Sequence, residues 1–361
     1  MSTPDRPIVR VGRGAVSNPA GRFEPTRAEP QDDGWGILDE PLPPVATEVQ
    51  IDTSRSIIAR NNSPDIPFTQ SINPYRGCEH GCVYCYARPS HAYLNLSPGI
   101  DFETKLFYKP DAIKQLKAEL SAKNYRCSPI ALGANTDPYQ PIERQYRITR
   151  QILETLSASN HPATIVTKGA AIIERDVELL ADMAVRNLVA VYVSVTTLDK
   201  ELKRKLEPRA AAPLARLAVI RKLADAKVPV GVMVAPVIPV LTDHEAEHIL
   251  EAAAQAGATT AGYIMLRLPH EVNPLFQEWL HTHEPLKAEH VMSRVRELSG
   301  GRDYDSRFGK RQRGTGIFAE LFRQRFELAC RKYGFDQDNR TTLDTSKFVP
   351  PLEHKRQLDL F

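Results

Sequence analysis

The chain has 361 residues, of which 42% are hydrophobic and 25% are charged, an ordinary balance for a globular protein with a sizeable core. Its formal net charge of +3 is too small to indicate a nucleic-acid binder by itself, and no apolar run reaches membrane-spanning length. Five cysteines, three of them in one short stretch, argue against a secreted disulfide framework and predict a soluble protein of the reducing cytoplasm.

Residues 1–50 are rich in proline, glycine, arginine and acidic residues, and they show little hydrophobic periodicity. Such a segment cannot bury enough apolar surface to offset the conformational entropy that its ordering would cost. We therefore predict a disordered arm over residues 1–50.

A cysteine-rich loop follows the first predicted core strand, Gln70-Ser-Ile72. The loop is Asn73-Pro-Tyr-Arg-Gly-Cys78-Glu-His-Gly-Cys82-Val-Tyr-Cys85-Tyr86, so its cysteines have the spacing C-x3-C-x2-C. Three thiolates close together suit a [4Fe–4S] cluster with one iron left open for a substrate or cofactor. Structural zinc is the alternative, with His80 or His91 as its fourth ligand. Two glycines within the loop would let the backbone turn tightly enough for the sulfurs to converge.

Beyond this loop, short apolar segments alternate with segments whose apolar residues recur at spacings of three and four. The apolar segments are predicted to be strands: Pro129–Leu132, Ala163–Val166, Leu188–Ser194, Val228–Val234 and Ala261–Arg267. The fourth helix is predicted to bury Leu214, Leu217, Ile220 and Leu223. Asp111 is predicted to cap the first helix, and Thr242-Asp-His-Glu245 has the form of a capping box. This alternation predicts a parallel sheet.

The cysteine spacing and its surroundings resemble the radical S-adenosylmethionine (SAM) enzymes. The dipeptides that flank Cys85, Val83-Tyr84 and Tyr86-Ala87, are similar more narrowly to those of the spore photoproduct lyase branch. The resemblance extends over roughly residues 65–270. It implies an α/β fold, an open partial (β/α)6 barrel of TIM type, whose active site would lie at the C-terminal ends of the strands.

The resemblance also implies two cofactors and a source of electrons. The [4Fe–4S] cluster would be held by Cys78, Cys82 and Cys85, and SAM would chelate the open iron through its amino and carboxylate groups. An external one-electron reductant would reduce the cluster, which then cleaves SAM to methionine and a 5′-deoxyadenosyl radical. Because the downstream pattern also resembles this superfamily, the cluster is favoured over structural zinc.

Three residues along the chain are implied to hold SAM. Tyr84, just before the third cysteine, would lie beside the adenine. Lys168, after the third predicted strand, would meet the SAM carboxylate, and a salt bridge to Glu174 or Asp176 is the alternative. Ser194, at the end of the fourth strand, would help to hold SAM, and a bond to nearby backbone is its alternative.

Three further polar residues are candidates for cofactor binding. Asn135 and Asp137 follow the second strand, where many radical SAM enzymes carry a Gly-Gly-Glu tripeptide that this chain lacks. A simple turn at the strand end is the alternative for both residues. Arg209 could clamp a carboxylate or a phosphate, or it could form a surface pair with Glu207.

Tyr84 and Tyr86 match residues that are proposed to relay a hydrogen atom in the photoproduct lyase branch. That branch donates the final hydrogen atom from a cysteine just after the second strand, whereas this chain has Gly133-Ala-Asn135 there. Cys127 precedes the strand and is expected to be an inert small residue. The resemblance therefore implies a related radical reaction and does not identify dipyrimidine repair.

The C-terminal part of the chain differs in pattern from the barrel, which we place at residues 51–270. Helical periodicity predicts a helical, basic extension over 271–345, followed by a flexible tail over 346–361. Residues 301–333 hold nine basic and four acidic residues, which could track the phosphate backbone of DNA or form a solvated helix face.

The last five residues, Gln357, Leu358, Asp359, Leu360 and Phe361, resemble the peptide by which bacterial proteins bind the sliding clamp. The apolar side chains of such a peptide can dock in a groove while the glutamine hydrogen-bonds its rim. An apolar chain end that covers the protein's own surface is the alternative.

The whole pattern predicts a radical SAM enzyme that abstracts a hydrogen atom from a substrate in the barrel mouth, with a DNA base as the expected substrate. A protein or small-molecule substrate is the first alternative. The second is a non-catalytic DNA-binding module that zinc or a cluster stabilises.

Overall fold

The computed structural model describes residues 12–24, 45–335 and 342–351. The strands within these residues are β1 (Glu48–Ile51), β2 (Ile58–Arg60), β3 (Gln70–Ile72), β4 (Tyr75–Arg76), β5 (Lys105–Tyr108), β6 (Ile130–Leu132), β7 (Ala163–Thr167), β8 (Val189–Ser194), β9 (Val230–Val237) and β10 (Thr260–Met265). The helices are α1 (Asp101–Thr104), α2 (Ala112–Leu120), α3 (Glu143–Tyr146), α4 (Ile148–Ala158), α5 (Val177–Val185), α6 (Lys200–Leu206), α7 (Pro213–Asp225), α8 (Ala246–Gln255), α9 (Val272–His283), α10 (Ala288–Leu298) and α11 (Ile317–Lys332).

The larger sheet has the strand order β10-β9-β8-β7-β6-β3-β2. Strands β3, β6, β7, β8, β9 and β10 run parallel to one another, and β2 pairs antiparallel with β3 at one edge. Helices cover the outer face between successive parallel strands, which explains why the central strands β6 to β9 are largely apolar. Because the two edge strands do not pair, the fold is an open partial barrel of the α/β class, as predicted.

The helices pack on the sheet through their apolar stripes. In α4, Ile152, Leu153 and Leu156 are fully buried, and in α2 the same is true of Leu116 and Leu120. Each such side chain contributes about 1.5 to 3 kcal/mol through its removal from water. The helices occupy the outside of the sheet, so the loops at the C-terminal strand ends are free to carry polar residues.

A smaller sheet, in the order β1-β5-β4, lies where the chain enters the cysteine loop. The Nε atom of Arg76, at the end of β4, donates to Asp52 Oδ2 at 2.7 Å. Lys109 Nζ lies 3.0 Å from the same oxygen. Asp52, which directly follows β1, therefore joins this strand to the ends of β4 and β5. Its partner Arg76 lies two residues before Cys78, the first cysteine of the loop.

The C-terminal helices pack against the far edge of the sheet. The ring of Tyr263 in β10 lies 5.0 Å from that of Phe322 and 4.7 Å from that of Phe326, both on α11. In the parts of the chain that the structure describes, no helix is both long and apolar enough to cross a membrane.

The predicted disordered arm over residues 1–50 is wrong for residues 12–24 and 45–50. Ala15 and Val16 are buried, and β1 begins at Glu48. These residues gain their contacts from distant parts of the chain, which local composition does not reveal. Residues 1–11 and 25–44 lie outside the described residues.

The predicted flexible tail over 346–361 is packed as far as residue 351. The Val349 amide donates to Ser159 O at 2.9 Å, and the ring of Phe348 lies 5.5 Å from that of Tyr125. The clamp-like peptide Gln357–Phe361 lies outside the described residues.

Two predicted helix caps do not form. Asp111 precedes α2, but its side chain makes no capping hydrogen bond. The Thr242 hydroxyl accepts from the Ile238 amide at 2.9 Å, and the Glu245 carboxylate accepts from Thr197. Both side chains of the supposed capping box are therefore used by neighbouring loops.

Candidate active site at the C-terminal strand ends

The cysteine loop lies between β4 and a 3₁₀ helix at Arg88–Leu94. Cys78 and Cys82 are 8% and 9% exposed, Cys85 is half-buried, and none of the three is in a disulfide. Cys85 packs against the apolar group that contains Cys78 and also against the one that contains Cys82. The three thiols therefore share one region beneath the loop.

The predicted tight turns of this loop are present at Gly77 and Gly81. Their φ angles are +74° and +68°, a region that favours glycine. A Cβ atom at Gly77 would lie 2.8 Å from the carbonyl oxygen of Phe102, so a larger residue would push the loop away from its support.

The three thiols need a bound cation before they can act as thiolate ligands. Burial raises the pKa of all three, that of Cys82 to about 12, so their thiolate forms need a bound cation. Among the described residues, no three His, Cys, Asp or Glu side chains converge as a single metal ion requires. In a [4Fe–4S] cluster each thiolate instead binds a different iron atom, at a corner of the cluster.

The two histidines that could complete a zinc site have other partners. His80 Nδ1 lies 3.3 Å from Asp137 Oδ2, and His91 Nε2 lies 2.9 Å from Lys105 O. Burial lowers the pKa of His91 to about 4, so this side chain is neutral. The Nδ1 atom of His91 is buried without a hydrogen-bond partner, and zinc binds a neutral imidazole, so structural zinc stays the alternative.

The N-terminal segment, residues 12–24, lies across the cysteine loop. The buried carboxylate of Glu103 accepts from the amides of Gly14 and Ala15 at 2.9 and 2.8 Å and pairs with Arg88 at 2.5 Å. A Cβ atom at Gly14 would lie only 1.7 Å from the carbonyl oxygen of Gly81. The loop is thus closed on one side by residues that sequence reasoning assigned to disorder.

Tyr84 lies beside the cysteines and is 6% exposed. Its hydroxyl donates to the buried carboxylate of Glu207, which also pairs with Arg216. The Thr196 hydroxyl lies 2.6 Å from Glu207 Oε1. Sequence reasoning missed Glu207, Arg216 and Thr196 as parts of the site.

Lys168 follows β7 and points toward Tyr84. Its Nζ atom lies 3.3 Å from Ala235 O and 5.9 Å from the centroid of the Tyr84 ring. The alternative salt bridge to Glu174 or Asp176 is wrong, because both carboxylates pair with other cations. The structure therefore brings together Lys168 and Tyr84, two of the residues expected to hold SAM.

Asp137 is used inside the protein. Its carboxylate accepts from the Thr167 hydroxyl at 2.6 Å and from the Lys168 amide at 2.7 Å, and it pairs with His80. Burial raises the pKa of Asp137, but these partners outweigh burial and lower it to about 2. Asn135 is exposed, and its backbone N–H donates to Asn73 Oδ1 at 2.7 Å. That either residue binds SAM stays a prediction.

Ser194 is buried at the end of β8, where its carbonyl oxygen accepts from Arg216 at 3.0 Å. Arg209 Nη2 donates to Glu79 Oε1 at 2.8 Å. Arg209 therefore does form an ion pair with a glutamate, but the glutamate is Glu79. The suggested partner, Glu207, faces inward and pairs with Arg216. SAM contacts of Ser194 and Arg209 stay predictions.

Tyr86 lies on the open side of the site and is 45% exposed. Its hydroxyl donates to Ala134 O, just after β6, and the Arg267 guanidinium lies 4.5 Å from its ring centroid. Tyr86 thus reaches the strand end where the sequence has no cysteine.

This chain is similar in sequence to a protein family and to several known proteins. Residues 72–253 match the model of the Radical SAM superfamily. An uncharacterised protein of Mycobacterium tuberculosis is 37% identical over 284 residues, which cover 77% of this chain and 78% of that protein. An uncharacterised protein of Methanocaldococcus jannaschii is 27% identical over 174 residues, which cover 48% of this chain and 62% of that protein.

A solved structure of spore photoproduct lyase complexed with dinucleoside spore photoproduct is similar in fold. Its TM-score is 0.55 at 16% sequence identity, and 80% of each chain is covered. At this identity the likeness shows a shared fold alone. The family model, which matches more than half of the chain, carries the assignment further: this chain belongs to the radical SAM superfamily.

Proposed function

We propose that this protein is a radical SAM enzyme in which Cys78, Cys82 and Cys85 hold a [4Fe–4S] cluster. The supporting observation is one of placement: three thiols, two of them buried and one half-buried, lie at the C-terminal ends of the six parallel strands, on the same side as Lys168 and Tyr84. When both cofactors are bound and an external reductant has delivered one electron, they supply cleavage of SAM and abstraction of a hydrogen atom from the substrate.

The chain's own residues would bind and orient SAM. The Lys168 ammonium carries a positive charge beside Tyr84, which suits the SAM carboxylate. Ser194 closes the adjoining strand end, and Arg209, tied to Glu79, lies on the cysteine-loop side. Burial of the loop beneath residues 12–24 would keep water and oxygen away from the thiols.

Tyr86 is our candidate for the residue that returns a hydrogen atom to the substrate. A phenol can give up a hydrogen atom, and the Tyr86 hydroxyl lies at Ala134, the strand end that carries a donor cysteine in the resembling branch. Tyr84 is less suited to contact substrate directly, because its hydroxyl is engaged by Glu207.

We propose DNA as the substrate class, with a base in the barrel mouth as the reacting group. The amide of Met265, at the end of β10, donates to Gln312 O at 2.8 Å, which fixes the basic segment 307–313 beside the mouth. Lys310 and Arg313 of this segment are exposed. Exposed cations next to a mouth suit the phosphates that flank a base.

The protein's catalytic function is tested by anaerobic reconstitution with iron and sulfide, followed by SAM and dithionite. We expect a brown protein that produces 5′-deoxyadenosine, and a colourless protein that holds stoichiometric zinc and produces none would reject the proposal. Addition of UV-irradiated or untreated DNA, followed by mass spectrometry of the bases, tests the substrate. Unchanged bases together with normal SAM cleavage would favour a protein or small-molecule substrate.

We also propose that the C-terminal peptide Gln357–Phe361 binds the bacterial sliding clamp, which would bring the enzyme to replicating or repaired DNA. A pull-down by purified clamp compares the full chain, the chain without residues 357–361, and a Leu360→Ala variant. We expect recovery of the full chain only. Equal recovery of all three would remove the proposed partner, while the proposed chemistry would stand.

A further inference from the structure

A buried carboxylate with three side-chain donors lies directly behind the predicted SAM residues. Glu207 is fully buried at the end of α6. Its carboxylate pairs with Arg216, accepts from the Tyr84 hydroxyl, and lies 2.6 Å from the Thr196 hydroxyl. Removing water from two opposite charges is costly, and such a pair often adds little to stability compared with apolar residues.

The backbone around Glu207 is joined to the cysteine loop. The Val83 amide donates to Leu206 O at 3.1 Å, and the Arg209 amide donates to His80 O at 3.2 Å. The segment that carries Glu207 therefore runs alongside the loop between the first and third cysteines. Glu207 is fixed relative to the same loop whose tyrosine it binds.

The residues around Glu207 are connected to Lys168 through the carbonyl oxygen of Ala235. The Thr196 hydroxyl lies 2.9 Å from Ala235 O as well as 2.6 Å from Glu207, and Lys168 Nζ lies 3.3 Å from Ala235 O. On the other side, Arg216 donates to the carbonyl oxygen of Ser194 at 3.0 Å. Tyr84, Lys168 and Ser194, which arrive from three separate parts of the chain, thus share one polar network.

We propose that Glu207 is a positioning residue for SAM. It fixes the rotation of the Tyr84 ring through the phenol hydrogen bond. It also holds the Thr196 hydroxyl, whose single proton is shared between the Glu207 carboxylate and the Ala235 carbonyl oxygen that Lys168 contacts. This inference rests on the proposed function, because it concerns residues that would touch SAM. Glu207 itself would not touch SAM, since it is buried behind them.

The test uses mild variants, because removing Glu207 would leave Arg216 buried without a partner. Tyr84→Phe keeps the ring and loses the hydrogen bond, and Thr196→Val keeps the shape and loses the hydroxyl. Thr196→Ser restores the hydroxyl. SAM affinity of the anaerobically reconstituted protein is measured by calorimetry, alongside iron per chain and the thermal midpoint of the apoprotein.

The chain offers a matched control elsewhere. The Tyr75 hydroxyl donates to buried Glu143 at 2.5 Å, and Glu143 pairs with Arg175 at 2.8 Å. Tyr75→Phe therefore removes the same kind of bond, from a tyrosine that we do not place in the SAM site. This variant reports how much the loss of a buried tyrosine hydroxyl lowers the thermal midpoint when the SAM site is left intact.

We expect Tyr84→Phe and Thr196→Val to weaken SAM binding about tenfold, which corresponds to the loss of one hydrogen bond. Thr196→Ser and Tyr75→Phe should bind SAM as the wild type does, and all variants should keep their iron. Wild-type SAM affinity in both hydroxyl-deleted variants would overturn the inference, as would parallel loss of iron and affinity. A wild-type protein that does not bind SAM would instead reject the proposed function.

Discussion

Asp52 is the side chain on which the entry to the cysteine loop depends. Burial raises the pKa of its carboxyl, but hydrogen bonds from Arg76 and Lys109 outweigh burial and lower this pKa from 3.8 to about 2. A carboxyl with a lowered folded-state pKa stabilises the fold above its unfolded-state pKa, and that contribution is lost as the pH falls toward the folded-state value. We expect Asp52→Asn to reduce the free energy of unfolding by about 1 to 2 kcal/mol at neutral pH.

Urea unfolding of the apoprotein at a series of pH values measures this contribution. The deficit of Asp52→Asn should shrink as the pH falls below about 4, because the wild-type carboxylate is then becoming protonated. Asp225→Asn, at an exposed position on α7, is the control and should show no such trend. A deficit of Asp52→Asn that is independent of pH would contradict the role given to its charge.

Single residues were predictable where the signal is local. The cysteine spacing and the loop glycines lie within nine residues of one another, so the sequence displays them together. Glu207 was noticed only as a neighbour of Arg209, whereas its partners Arg216, Tyr84 and Thr196 are brought to it by folding. Partner choice among charged residues depends on which side chains face inward, and one sequence does not show this.

The N-terminal segment, residues 12–24, is the element that closes the cysteine loop. A Cβ atom at Gly14 would overlap the Gly81 carbonyl oxygen, at 1.7 Å, so Gly14→Ala must displace the segment or the loop. We expect this change to cost about 1 to 3 kcal/mol of stability, as overpacking does. We also expect the proposed cluster to bleach faster in air, as followed by visible absorbance.

Gly12→Ala is the control within the same segment. Gly12 has a φ angle of +78° but no heavy atom within 4 Å of an added Cβ, so its replacement strains the backbone without touching the loop. It should bleach at the wild-type rate. If Gly14→Ala also bleached at that rate, the segment would not shield the cysteines.

The basic C-terminal residues divide into two groups. On α11, Arg323 pairs with Glu320 and Glu327, which leaves little positive charge for a ligand. Lys310 and Arg313, next to β10, are exposed, and the Arg313 guanidinium stacks at 4.1 Å on the ring of a tyrosine in β10. Within the basic extension, we therefore expect Lys310 and Arg313, and not the arginines of α11 that are paired with glutamates, to contact phosphate.

The double variant Lys310→Ala with Arg313→Ala should bind single-stranded DNA more weakly and with a smaller salt dependence. Loss of two phosphate contacts should reduce the slope of log affinity against log salt by about 1.4. Fluorescence anisotropy over a salt series measures both effects, with Arg323→Ala as the control. An unchanged slope in the double variant would show that Lys310 and Arg313 do not contact DNA phosphates.

Helix periodicity predicted the elements better than their buried faces. In α7 it selected Leu214, which is 62% exposed, whereas Arg216 is buried beside Val219 and Ile220. Arginine is rarely a core residue, and the ion pair with Glu207 together with hydrogen bonds to the carbonyl oxygens of Ser194 and Ala211 makes that burial possible. The exposure of Leu214 and the burial of Arg216 both accompany the Arg216–Glu207 contact, which helix periodicity did not predict.

At the scale of the whole molecule, the barrel was predictable because alternation of strands and helices is a repeated, local signal. The parallel strands from β6 to β9 are short, largely apolar runs, and β6 to β10 stand in the sheet in sequence order. The smaller sheet was not predictable, because β1 pairs with β5 across more than fifty residues and β1 is half polar. The packing of residues 12–24 and 346–351 was missed for the same reason.

The central claim is that three thiols, and not the other two, bind the cluster that activates SAM. The most direct measurement is iron and sulfide per chain after anaerobic reconstitution of the wild type and of five single Cys→Ala variants. We expect four iron atoms in the wild type, as a [4Fe–4S] cluster requires, and the same content in Cys127→Ala and Cys330→Ala. Cys78→Ala, Cys82→Ala and Cys85→Ala should each lose most of their iron, and undiminished iron in any of these three would contradict the account.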